Sequence, residues 1–82
     1  MILVDIYVPS LDETFDFQLD ENTQTRFVTD EVEDILGKRV RAQADSYRKR
    51  FVLCSFEQQR ILPANQSLKM CGIRNGSRLL LV

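Results

Sequence analysis

At 82 residues with a formal net charge of −1, the chain has the size of one small domain, residues 1–82, whose core supplies modest stability and whose bulk charge draws it to neither nucleic acid nor membrane. Two cysteines and no histidine exclude a structural zinc site, which needs four ligands at recognisable spacing.

The first element is a β-hairpin. Ile2, Val4, Ile6 and Val8 alternate with Leu3, Asp5 and Tyr7, the two-residue period of a half-buried strand. Residues 9–13, Pro-Ser-Leu-Asp-Glu, break the pattern, and Phe15, Phe17 and Leu19 then alternate with Asp16 and Gln18 at hairpin distance. Residues 20–23, Asp-Glu-Asn-Thr, carry capping chemistry, since a short side-chain oxygen accepts the unpaired N–H groups of a first helical turn. An amphipathic helix follows, with Phe27, Val28, Val32, Ile35, Leu36 and Val40 at helical spacing and Asp30, Glu31, Glu33 and Asp34 outside. Early acids and late Lys38, Arg39 and Arg41 complement the macrodipole, and Asp34 with Lys38 forms a favourable i,i+4 pair.

Residues 41–49 read as a polar connection, because no apolar period develops there. Residues 51–56 make a third strand, 57–60 a polar turn, and Ile61-Leu62 a short return strand ended by Pro63. In the last sixteen residues a short helical turn at 67–70 closes on Gly72, which tolerates positive φ, and leaves Ile73 to enter a core. Asn75-Gly76 marks a tight turn. Residues 77–82 form the last strand, apolar at every position after Arg78, as suits a central strand.

The near-neutral total hides a split. Residues 1–37 hold ten acids against Arg26 alone, and residues 38–82 hold ten bases against Asp45 and Glu57. Much of this division is helix chemistry, though such a dipole can also orient a partner. Cys54 sits in an apolar run, where a free cysteine behaves as a small hydrophobe. Two unpaired thiols, rather than a disulfide between Cys54 and Cys71, favour a reducing compartment. Asp5 interrupts the opening apolar run too soon for a signal-peptide core, and no window has the length of a membrane span. The expected location is cytoplasmic.

The order hairpin, helix, strand, short strand, strand is that of the β-grasp, an α+β fold in which a mixed sheet wraps one central helix and the last strand lies beside the first. Ser67-Leu68, Cys71-Gly72-Ile73 and the run Asn75-Gly76-Ser77-Arg78-Leu79-Leu80-Leu81-Val82 resemble the C-terminal half of ubiquitin and its relatives. The start Met-Ile-Leu-Val-Asp-Ile, the helix opening near Thr23 and the run from Gly72 to Leu79 resemble the YukD-like ubiquitin-like proteins of type VII (WXG100) secretion in Gram-positive bacteria. That resemblance implies a cytoplasmic accessory protein acting through its surface, with protein partners among the components of the secretion membrane complex and no conjugation of its own. Conjugation and sulfur-carrier chemistry require a flexible terminal Gly-Gly, whereas Leu81-Val82 falls in the last strand. A natural C-terminus extending to Gly-Gly would instead make the chain a modifier or sulfur carrier.

Ubiquitin recruits partners through an apolar patch on its open sheet face, and Val82 falls near a matching position. Leu80 and Val82 share one face by alternation. Either Val52, Cys54 and Phe56 or Phe51, Leu53 and Ser55 must join them, and alternation alone does not choose. The candidate protein-binding residues are Val52, Cys54, Leu80 and Val82. A second candidate is the basic run Lys38, Arg39, Arg41, Arg48, Lys49 and Arg50, with Tyr47, which has the chemistry to meet an acidic protein, anionic lipid or phosphate backbone; its bland reading is a solvated loop. Enzymatic activity is not expected. With no histidine and no Gly-rich phosphate loop, nothing places a nucleophile beside a base. The serines read as turn or strand residues, no cofactor is implied, and the ferredoxin form of the β-grasp is excluded because its cluster takes four thiolates.

Overall fold

A computed structural model of the protein describes residues 1–37 and 51–82. Alternation along the first segment becomes strands β1 (Ile2–Val8) and β2 (Glu13–Leu19), paired antiparallel from Ile2 opposite Leu19 to Val8 opposite Glu13. The connection closes through the Leu11 N–H on the Val8 carbonyl (3.0 Å) and the Asp12 N–H on the Pro9 carbonyl (3.1 Å). Asp12 takes φ 52°, a left-handed conformation that aspartate tolerates, and its Oδ1 accepts the Tyr7 hydroxyl at 2.7 Å.

Helix α1 (Thr25–Leu36) crosses the sheet. Strands β3 (Leu53–Ser55), β4 (Arg60–Ile61) and β5 (Arg78–Leu81) complete it, in the order β2-β1-β5-β3-β4. β5 lies parallel to β1 and antiparallel to β3. This is the β-grasp, with its hairpin, single helix and mixed five-stranded sheet. Ile2, Val4, Ile6, Val8, Phe17, Leu19, Leu53, Leu79 and Leu81 line the buried side of the sheet, and Val28, Val32 and Leu36 meet them from α1. Each such fully buried aliphatic side chain contributes about 1.5–3 kcal/mol relative to exposure.

The helix differs from its sequence reading in three ways. It starts at Thr25, and no side chain at residues 20–24 caps it; the Asp20 carboxylate instead accepts the Asn22 N–H at 2.9 Å, in a turn before the helix. The first-turn donors go to the chain's other half, Thr25 N–H to the Gln66 carbonyl (2.8 Å) and Arg26 N–H to the Ala64 carbonyl (3.0 Å). A tertiary strap thus does what a capping side chain does elsewhere. Phe27 and Ile35, expected in the core, are 53% and 60% exposed. Their places are taken by Thr25 and Thr29, which bury because their hydroxyls are satisfied by the carbonyls of Gln66 and Thr25, each at 2.9 Å. The helix is thereby rolled onto its threonine side. Finally, its first turn contains no acid, so Asp30 to Asp34 do not complement the macrodipole there. Val40, the Asp34–Lys38 pair and the basic residues after it lie outside the described residues.

The segment leading to β5 is stitched to the helix entry. Leu68 N–H bonds the Thr23 carbonyl (3.3 Å) and Lys69 N–H the Glu21 carbonyl (2.8 Å), with Leu68 wholly buried. Residues 67–72 make a single turn: Cys71 N–H is shared between the Ser67 and Leu68 carbonyls, and Gly72 follows at φ 80°. Ile73 then enters the core.

The Asn75-Gly76 turn docks on β1, with Gly76 N–H on the Leu3 carbonyl (2.8 Å) and Asn75 Oδ1 accepting the Leu3 N–H (2.8 Å). Gly76 has φ 87° and open space where a Cβ would stand. Gly76→Ala is therefore expected to cost only the left-handed backbone penalty, about 1–2 kcal/mol, read as a lower urea midpoint at unchanged slope.

The third strand is shorter than residues 51–56, yet its pairing runs past both ends. Val52 and Val82 exchange N–H···O bonds of 2.8 and 3.0 Å, and Phe56 N–H bonds the Arg78 carbonyl at 2.9 Å. The return strand sits one residue earlier than expected, at Arg60–Ile61, although the buried Leu62 still bonds the Leu53 carbonyl through its N–H at 3.0 Å.

Candidate docking face

Strand register decides which side chains meet on the face turned away from α1. Tyr7 lies opposite Leu80, Leu80 opposite Cys54, and Cys54 opposite Ile61. One row of side chains therefore crosses four strands, since directly opposed residues share a face. Val52 and Val82 form the adjacent pair. The structure thus brings Val52, Cys54, Leu80 and Val82 together, and it resolves the choice left by alternation. Leu53 and Ser55 point inward and are buried, while Val52, Cys54 and Phe56 point outward. Val52 and Val82 are each 38% exposed, and Cys54 and Leu80 are half-buried. Cys54 is free, as is the buried Cys71. Burial pushes the Cys54 thiol above its ordinary pKa, so it stays protonated and serves this face as a small apolar group.

Two residues missing from the sequence reading of this face belong to it. Ile61, 63% exposed, extends the apolar row, and Tyr7 closes its other end. The outward alternation of β1 marked Tyr7, but its neighbours depend on the parallel pairing with β5. The basic run Lys38, Arg39, Arg41, Arg48, Lys49 and Arg50 lies outside the described residues.

Beside the apolar row the face turns charged. Asp16 lies opposite Asp5, and Asp5 opposite Arg78. The Arg78 guanidinium stands 4.4 Å over the Phe56 ring, and its Nε donates to Glu57 Oε2 at 2.9 Å. The Glu57 Oε1 accepts the Arg78 backbone N–H at 3.1 Å. These bonds from Arg78 hold the Glu57 carboxyl below its ordinary value. Asp5 moves the other way: a hydrogen bond shared with Asp16, then desolvation and the charge of Asp16, raise its pKa against a smaller opposing pull from Arg78. A depression of about 320 Å³ opens here, lined by Asp5, Tyr7, Thr14, Phe56, Arg78 and Leu80.

The carboxylate pair has a testable consequence. A raised native pKa means that the folded chain binds this proton more tightly than the unfolded chain does. Its contribution to stability therefore falls as pH rises from the ordinary aspartate range through the native Asp5 value. Asp16→Asn removes the main cause, so Asp5 is expected to return toward its ordinary pKa, with that part of the pH dependence lost. Carboxyl ¹³C NMR titration reads this directly; an unmoved Asp5 titration would contradict the pairing.

The structure resembles the EccD5 ubiquitin-like domain from Mycobacterium xenopi (TM-score 0.77, 23% identity, 99% of this chain and 91% of that chain). It also resembles a chain of the MycP5-free ESX-5 inner membrane complex (TM-score 0.75, 22% identity, 99% of this chain). The present chain spans only 20% of that larger chain. The N-terminal ubiquitin-like domain of the 4931431F19Rik protein is similar as well (TM-score 0.72, 27% identity, 99% and 72% coverage). No curated protein matches the chain. The family model described as the WXG100 protein secretion system (Wss) protein YukD matches residues 2–81. With nearly the whole chain matched and the ubiquitin-like fold in place, the chain belongs to the YukD family of the WXG100 secretion system.

Proposed function

We propose that the chain is a non-catalytic, non-conjugated ubiquitin-like interaction module, one domain over residues 1–82, that works in the cytoplasm by docking a protein component of the type VII secretion membrane complex. The observation that carries this reading is the continuous apolar row of Val52, Cys54, Leu80 and Val82 with Ile61, open on the sheet face opposite α1. Apolar residues clustered on one accessible face mark interaction sites, whereas scattered ones need no explanation. The likeness to a chain of the ESX-5 inner membrane complex supports a partner of that kind. No described helix is long and apolar enough to cross a membrane.

The test is affinity capture from native cytoplasm and solubilised membrane, comparing the parent with a folded Val52→Glu, Leu80→Glu variant. Secretion-complex components retained by the parent and lost by the variant support the reading. Equal retention by both moves the binding surface off this face, and capture of none of that machinery by the parent overturns the secretion role.

A further inference from the structure

The docking face carries a chemical preference beyond its apolar row. Strand register sets Asp5 and Asp16 directly opposite each other on the open face, an arrangement that like charges disfavour. The neighbouring cation does not resolve it. Arg78 is held over Phe56 at 4.4 Å and bonded to Glu57 at 2.9 Å, so its charge is shared with a third carboxylate. Asp5 lines a depression of about 320 Å³, Asp16 stands opposite it on the neighbouring strand, and the one guanidinium beside them is bonded to Glu57. The walls of that depression suit a long cationic side chain. Tyr7, tethered through its hydroxyl to Asp12 at 2.7 Å, and Phe56 present aromatic surface. Leu80 joins the depression to the apolar row.

Resting on the docking reading above, we propose that this depression receives an arginine side chain of the partner protein, its guanidinium between the Asp5 and Asp16 carboxylates and its stem along Tyr7 and Leu80. Apolar residues flanking that arginine in the same segment cover Cys54, Val52 and Val82. Arginine fits better than lysine, because a planar guanidinium pairs with two carboxylates through its fork of donors and stacks on aromatic rings. Charge complementarity thus adds selectivity to a face whose apolar part accepts any greasy segment.

The test uses the full ¹⁵N-labelled chain and two capped pentapeptides, acetyl-Leu-Ala-Arg-Ala-Leu-amide and the same peptide with citrulline, which keeps the shape of arginine without its charge. Titrations are followed by amide chemical shifts at neutral pH and low salt. The arginine peptide is expected to shift Asp5, Tyr7, Asp16 and Leu80 and to bind roughly ten-fold tighter than the citrulline peptide, as for a charge-assisted hydrogen-bonded contact. Asp5→Asn with Asp16→Asn preserves shape and relieves repulsion, so the fold is expected to persist, and the preference for arginine to vanish. Equal binding of the two peptides, a preference that survives the double asparagine change, or no shift at Asp5 and Asp16 overturns the proposal. Failure here is distinguishable from failure of the docking reading. If capture from cells is lost in Val52→Glu, Leu80→Glu but intact in the double asparagine variant, docking stands and the arginine site falls. If capture ignores the glutamates while the arginine preference holds in the peptides, the site stands and the docking reading falls.

Discussion

Leu79→Ala is expected to cost about 2–5 kcal/mol of folding free energy, the range for truncating a buried leucine. Leu79 is 1% exposed at the centre of the sheet, paired with Ile6 on the parallel side and Ser55 on the antiparallel side. Two strands and the helix that packs over them close on this one side chain's surroundings, so the cavity has little freedom to collapse. Domains of this size have a total stability of roughly 4–12 kcal/mol, and the variant therefore loses a large fraction of it. Urea denaturation followed by circular dichroism reads the loss as a lower midpoint. A change below about 1 kcal/mol would fall outside the buried-leucine range and contradict the packing described for β5.

The adjacent residue is expected to behave in the opposite way. Leu80 points to the open face, and Leu80→Glu together with Val52→Glu leaves the buried side of the sheet intact. The loss of strand propensity is on the order of 1 kcal/mol at each site. Partner binding is another matter, since a hot spot near the centre of an interface contributes upwards of about 2 kcal/mol, and the two residues together are expected to supply at least that. At 1.4 kcal/mol per ten-fold, capture of the secretion components is expected to fall at least ~30-fold while the far-ultraviolet spectrum stays that of the parent. A variant that folds and still captures the same components places the binding surface elsewhere. Neighbouring leucines one residue apart thus separate stability from recognition, because successive side chains of a strand point to opposite faces.

Where the sequence reading held, the signal was local. The period of two in Ile2, Val4, Ile6 and Val8, and the Gly72-Ile73 and Asn75-Gly76 turns, each specify conformation within a few residues. Where it failed, a distant partner had intervened. Asp20 to Thr23 looked like a helix cap, but the helix's first donors are met by the carbonyls of Ala64 and Gln66. Phe27 and Ile35 fitted the apolar period, yet the threonines won the inner face once Gln66 satisfied Thr25. Hydrophobic spacing does not record such bonds, so it placed the helix's existence well and its rotation poorly.

The same division holds for the candidate site. Alternation along the last strand by itself determines that Leu80 and Val82 share a face, the order of elements points to the β-grasp, and the Gly72-Ile73 and Asn75-Gly76 runs carry the resemblance to the ubiquitin-like proteins. Which set of β3 side chains joins that face, how far the apolar row extends through Tyr7 and Ile61, and the meeting of Asp5 with Asp16 and Arg78 were decided only by tertiary structure. The physical reason is register. A strand's own sequence specifies a period, but the residue that stands opposite each position is chosen by pairing with strands distant in the chain, and a slip of one residue would exchange the two faces.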